Sequence, residues 1–219
     1  MQKAKVYFTD FRTVADVSLT EKLKKLLRRA GIAVVLYGGN SRLGDVSQVL
    51  PDREAGAAAL VRHLLERGRR RIASFGGNSP LSGRSRAYRR VLAHAGLPEL
   101  SIPYDSDSAL DPDTVTETLL DHLKRRPDID AIFTHNDELA VAARRAIDIA
   151  GYSVPDDIAL AGFDNIPSGA YMLPPLTTVE QPRGEIAEAL IAELFAGLKD
   201  PSHNAFVSIP CRLVVREST

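Results

Sequence analysis

Short apolar runs alternate with amphipathic helical stretches along most of this 219-residue chain, and that alternation limits the fold more than any other feature. The apolar runs fall at residues 5–8, 33–37, 71–75, 100–103, 131–134 and 158–163. Helical patterns lie between them at 19–30, 53–67, 84–95, 112–125 and 138–150. In the first of these, Leu23, Leu26 and Leu27 share one face and lysines and arginines occupy the other, the pattern of a helix that buries one stripe against a sheet. Gly31, Gly68, Gly96 and Gly151 stand at helix ends, where a left-handed residue closes the last turn. Strands that alternate with helices of about a dozen residues predict parallel sheets with crossover helices, an α/β fold. The rhythm breaks at Leu173-Pro174-Pro175-Leu176-Thr177-Thr178, because adjacent prolines exclude a helix. A helix over 183–198, a loop over 199–204 and an extended run over 206–215 follow.

In open parallel sheets ligands sit beyond the carboxyl ends of the strands. Three strand ends here carry polar side chains. The run 71–75 leads into Gly76-Gly77-Asn78 and on to Arg84. The run 131–134 leads into His135-Asn136-Asp137, and the run 158–163 into Asp164-Asn165. A guanidinium, an amide and a carboxylate meeting there would grip a hydroxyl-rich or anionic small molecule. Each also has a structural reading. Asp164 and Asn165 are turn formers. His135 either touches a ligand, lines a cleft or caps the next helix. Arg84 opens a helix, a mildly unfavourable place for a cation because of the macrodipole. Gly76-Gly77-Asn78 is either a tight turn or, less specifically, a phosphate cradle. The basic run Arg67-Gly68-Arg69-Arg70-Arg71 is either a solvated loop or a phosphate or partner contact.

Composition narrows the function classes. Lys plus Arg and Asp plus Glu both number 28, so no net charge draws the molecule toward nucleic acid or anionic membrane. The single cysteine, Cys211, reads as a small buried apolar residue and forms neither an internal disulfide nor a cysteine-based zinc site. The five histidines share no metal-ligand spacing, and His63, His94 and His122 read as helix surface. A nucleophile elbow, a Walker loop, an HExxH pair and a G-x-G-x-x-G after the first strand are all lacking. No enzyme, cofactor or metal is therefore expected. The opening MQKAKVYFTDFR holds no long apolar run, which predicts neither signal peptide nor membrane span, hence a cytoplasmic chain. With 219 residues, two small lobes fit better than one compact domain.

Specific motifs add to this. Residues 130–140, DAIFTHNDELA, resemble the AIFAANDxxA segment of LacI/GalR transcription regulators. Residues 151–167, GYSVPDDIALAGFDNIP, and 174–182, PPLTTVEQP, are similar to that family's G-x-x-V-P-x-D-I-A-L-x-G-F-D-[DN]-I and P-P-L-T-T-V-x-Q-P. Residues 63–73 resemble HLxxxGHRRIA, and 213–219 the usual family finish. The resemblance covers about residues 20–219. It implies the periplasmic-binding-protein-like fold: two lobes of parallel sheet flanked by helices, three crossover segments, and a ligand cleft. The lobes would comprise 1–70 plus 183–207, and 71–182 plus 208–219.

Carried over residue by residue, Arg84 corresponds to the ligand-gripping arginine, since Ala87-Tyr88 matches the pair that follows it. Asn136 corresponds to the ND asparagine and Asp164 to the first acid of G-F-D-[DN]. With His135 these form the expected ligand set. The implied function is the effector-binding module of a homodimeric regulator that senses a sugar or related polyol. The alternative is a solute-binding protein of a sugar transport system. Three departures stand out. The loop 78–83 is short, the family's DN reads Asp52-Arg53, and the match enters near the third strand of the first lobe, at residues 6–9. The first lobe is thus expected to be incomplete, with operator DNA reached only through a helix-turn-helix headpiece outside this sequence.

Overall fold

The structure, a computed structural model, describes residues 26, 29, 32–38, 46–77, 82–102, 104 and 111–219. The strand expected at 5–8, most of the helix expected at 19–30, Gly31, and the loop residues 78–81 lie outside them. The chain forms two compact units, 1–52 with 182–210 and 53–181 with 211–219, and passes from one to the other at 52/53, 181/182 and 210/211.

In the first unit, β1 (Val35–Tyr37), β2 (Ser47–Asp52) and β8 (Phe206–Pro210) form a parallel sheet in the order β1-β2-β8. Helix α5 (Arg183–Lys199) covers it through Ile186, Leu190 and Leu194, which join Val35 and Val49 in one core cluster. That spacing of four residues keeps the three side chains on one helix face. β2 is missing from the apolar runs because Ser47, Gln48 and Pro51 interrupt it. Both polar side chains are nonetheless buried and satisfied. Gln48 Nε2 donates to the Gly38 carbonyl at 2.7 Å, and Ser47 Oγ accepts from the Ala205 amide at 3.1 Å.

The second unit is built on a parallel sheet ordered β4-β3-β5-β6, from β3 (Ile72–Phe75), β4 (Leu100–Ile102), β5 (Ala131–Thr134) and β6 (Ala159–Ala161). Bridges Ala161–Thr177 and Asp164–Glu180 attach β7 (Thr178–Glu180), which pairs antiparallel with β9 (Arg212–Val214). Strand side chains alternate between two faces, so one strand feeds two cores. Ala131 and Phe133 pack with α1 (Arg53–Glu66) and α2 (Gly83–His94). Ile132 packs instead with α3 (Pro112–Arg125) and α4 (Asp137–Ile149). Buried on both faces, β3, β5 and β6 read as largely apolar runs. Helix starts are capped locally: Ser82 Oγ accepts from the Ser85 amide, Asp111 Oδ2 from Thr114 and Asn136 Oδ1 from Leu139, at 3.1, 3.1 and 2.8 Å. Gly68, Gly96 and Gly151 end helices at positive φ, as expected.

Two boundaries differ from those read in the sequence. The first lobe was expected to run to residue 70, but α1 belongs to the second unit. Its buried Ala57, Leu60, Val61 and Leu64 share a core with α2, Val179 of β7 and Leu213 of β9. The extended run 206–215 divides at Cys211, with β8 pairing β2 and β9 pairing β7. Strands β2 and β7 were not expected, and the other described strands and α-helices fall within one or two residues of their expected bounds.

Residues 216–219 close the second sheet with hydrogen bonds that carry a prediction. Ser218 Oγ donates to the Leu160 carbonyl at 2.6 Å and accepts from the Thr177 amide at 2.8 Å, fully buried. Ser218→Ala leaves both backbone groups without that partner. It is expected to cost about 1–2 kcal/mol in equilibrium unfolding.

Candidate functional site

The carboxyl ends of β3, β5 and β6 lie side by side in the second sheet, so the segments that leave them form one polar row. His135 follows β5 and turns inward. It is 5% exposed, stacks on Phe133 with ring centroids 5.3 Å apart, and its Nε2 lies 3.1 Å from Ser74 Oγ. Burial, reinforced by the Arg84 charge, depresses its pKa from 6.5 to about 3. The ring is therefore a neutral imidazole, a floor beneath the row. Gly77, at φ +79°, crosses it so closely that a Cβ there would sit on the ring. The turn Gly76-Gly77 therefore has both a conformational and a steric need for glycine at its second position.

Asn136 is the N-cap of α4. Its Oδ1 accepts from the Leu139 amide, which turns the Nδ2 donors the other way. Arg84 sits in the first turn of α2 with its guanidinium 5.1 Å from the centre of the Phe163 ring, a cation–π contact. Phe163 immediately precedes Asp164, and the Arg84 charge reaches His135. The guanidinium thus stands by two of the three strand ends. Asp164 and Asn165 take φ of 110° and 50°. Such backbone states cost about 1–3 kcal/mol each in non-glycine residues and persist where neighbours over-determine them. Here the Asp164 amide donates to the Val179 carbonyl at 2.8 Å, and the Asn165 Oδ1 accepts from Arg216 at 2.7 Å.

Sequence reasoning missed Asp137, whose side chain lies wholly buried beneath the Asp164 turn. It accepts from Thr178 Oγ1 at 2.6 Å and from the Ile166 amide at 2.8 Å. Burial raises its pKa above the usual carboxylate range, opposed by those two hydrogen bonds and reinforced by the charge of nearby Asp164. Room for it exists because residue 162 is glycine; a Cβ there would overlap Asp137 Oδ1. An aspartate in the first turn of a helix reads from sequence as an ordinary dipole partner, which hid this role. Gln181 was missed as well, and Arg53 was read only as a departure from the family's DN. Gln181 Nε2 donates to Asp164 Oδ1, and Arg53 Nε donates to Gln181 Oε1 at 3.1 Å. Among the described residues no group of three or more His, Cys, Asp or Glu side chains is placed to hold a metal ion.

A parallel sheet with helices on both faces and hydrogen-bonding side chains across adjacent strand tips is the architecture of a small-molecule binding module. The model of the periplasmic binding protein-like domain matches residues 61–219. A LacI-family transcriptional regulator of Sanguibacter keddieii superimposes with a TM-score of 0.73 at 34% identity, over 87% of this chain and 75% of that one. The ribose operon repressor of Halalkalibacterium halodurans is 33% identical over 80% of the chain and 53% of its own length. The transcriptional repressor PurR of Photobacterium profundum is 29% identical over 90% and 60% respectively. The chain belongs to the LacI family of transcriptional regulators, in its periplasmic-binding-protein-like region. It spans between half and about three-fifths of the length of the curated repressors it matches.

Proposed function

We propose that the chain is the effector-sensing module of a LacI-type regulator and takes a sugar-like or polyol effector at the strand-tip row. The observation that carries this is the fixed set of Asp164, Arg84 and Asn136 at the ends of neighbouring strands. The carboxylate accepts from ligand hydroxyls, and the guanidinium and the amide nitrogen donate to ligand oxygens. His135, held neutral and enclosed by Ser74, Phe133 and Gly77, supports the row from beneath. The name of the ribose operon repressor agrees with such a ligand. The matched relatives are repressors, which favours a regulator over a transport-system solute-binding protein and over an enzyme. No described helix is long and apolar enough to cross a membrane; a cytoplasmic site of action is part of the proposal and goes with the matched repressors. In the intact homodimer, differential effector binding to two conformations would set operator affinity through the DNA-binding headpiece.

A thermal-shift screen of the full protein against pentoses, hexoses, nucleosides and polyols tests the reading. A true effector at a hundredfold excess over its Kd adds about 2.7 kcal/mol of stability. For a protein of this size that is several degrees in Tm. Asp164→Ala is expected to abolish the shift, because ligand hydroxyls lose their acceptor. Indifference to every compound, or an undiminished shift in Asp164→Ala, refutes it.

A further inference from the structure

We infer that Gln181 and Arg53 are positioning residues that orient the Asp164 carboxylate and tie it to two of the three points where the chain crosses between its units. This rests on the reading of Asp164 as the ligand-accepting acid.

The chemistry of the three side chains fixes the direction of the chain of bonds. A guanidinium only donates. Arg53 Nε donates to Gln181 Oε1 at 3.1 Å, so that oxygen is engaged and the amide nitrogen of Gln181 must face the opposite way. There it meets Asp164 Oδ1 as a donor. Remove the Arg53 bond and the amide is free to turn over, placing its carbonyl oxygen against a carboxylate, two acceptors face to face. The Asp164 main chain is pinned separately, through its amide to the Val179 carbonyl at 2.8 Å and its bridge to Glu180. The relay therefore governs the carboxylate rather than the turn.

Location gives the relay its second property. Arg53 is the first residue of the second unit after the 52/53 crossing, and Gln181 is the last before the 181/182 crossing. With Gln181 on Oδ1, the second carboxylate oxygen of Asp164 is presented to the ligand, and the two residues that hold it there stand beside two of the crossings. Where the resembling family motif has asparagine after the aspartate, this sequence has Arg53, which supplies the cationic end of the relay.

The test uses the full chain with D-ribose as the titrated probe, together with a ligand-free measurement. Gln181→Leu is expected to weaken ribose binding roughly tenfold or more, the scale of a hydrogen bond to a charged group. Arg53→Leu is expected to weaken it less, and Arg53→Lys, which retains a donor, to restore most of the loss. The double variant is expected to bind no worse than Gln181→Leu alone, since both changes break one chain. Additive losses, or wild-type affinity in Gln181→Leu, overturn the relay. If Gln181→Leu does not fold, Gln181→Asn, one methylene too short to bridge both partners, replaces it. The ligand-free arm follows the Gln181 side-chain amide protons by NMR, which are expected to move in both Arg53→Leu and Asp164→Asn. Silence there overturns the relay. A ribose-blind wild type that still shows those shifts counts against ribose as effector and leaves the relay supported.

Discussion

Gly162→Ala is expected to lower the unfolding free energy by about 3–5 kcal/mol, the sum of overpacking and a disrupted buried carboxylate. Gly162 is not among the positive-φ residues, so the demand is for space. A Cβ there would overlap Asp137 Oδ1 and stand 2.9 Å from Leu176 Cδ2. Neither neighbour has room to retreat, because Asp137 is fully buried and bonded to Thr178 Oγ1 and the Ile166 amide, and Leu176 is fully buried in a core cluster. Displacing the carboxylate strips both donors of their acceptor and loosens the turn that carries Asp164. Chemical denaturation of Gly162→Ala beside wild type measures the effect; a loss below about 1 kcal/mol, the range of an ordinary surface change, would show that the packing under this turn is slack.

Acid is expected to destabilise the protein through His135. Its folded pKa of about 3 lies far below its ordinary 6.5. Between those values the unfolded chain binds a proton that the folded chain refuses, so unfolding gains as pH falls. The stability contributed by the neutral ring is complete above pH 6.5 and is lost as pH drops toward 3. The slope is about 1.4 kcal/mol per pH unit, or roughly 2 kcal/mol between pH 6.5 and 5. Asp137 acts in the opposite sense: its raised pKa gives stability at low pH that is lost as pH rises through the folded value. Comparing wild type with His135→Phe isolates the histidine. The variant should be less stable near pH 7, where Ser74 loses its partner, yet flatter toward pH 5. Parallel profiles for the two proteins would mean that His135 takes up its proton without unfolding.

How much of this was legible in the sequence follows from how locally each feature is encoded. Strands β3, β5 and β6 of the second unit announced themselves as apolar runs because both faces are buried, and Phe133 and Ile132 feed different cores from adjacent positions. Strand β2 did not, because its Gln48 and Ser47 are satisfied by the distant Gly38 and Ala205 backbones, contacts no local pattern reveals. The boundary at residue 70 was misplaced for a similar reason. Helix α1 has an amphipathic face, but periodicity does not say which sheet that face meets. At the site, Arg84, Asn136, Asp164 and His135 all lie on segments at or beside the expected strand ends. That His135 lies under the row and not in it depends on Ser74, Phe133 and Gly77 closing around it. Asp137 and Gln181 were overlooked, and Arg53 was read only as a departure from a pattern, because their importance lies in partners far along the chain. Arg53 and Gln181 are joined across 128 positions.

The interleaving of the two units has a consequence for the order in which the protein takes shape during synthesis. The larger unit holds 53–181 and then waits for 211–219, while 182–210 are delivered to its neighbour. Until β9 and Ser218 emerge from the ribosome, β7 has no antiparallel partner and Leu160 and Thr177 lack their hydroxyl bridge. The strand-tip row is drawn from residues 76–165, yet the sheet that supports it is finished only by residues 211–219, made after the whole of 182–210.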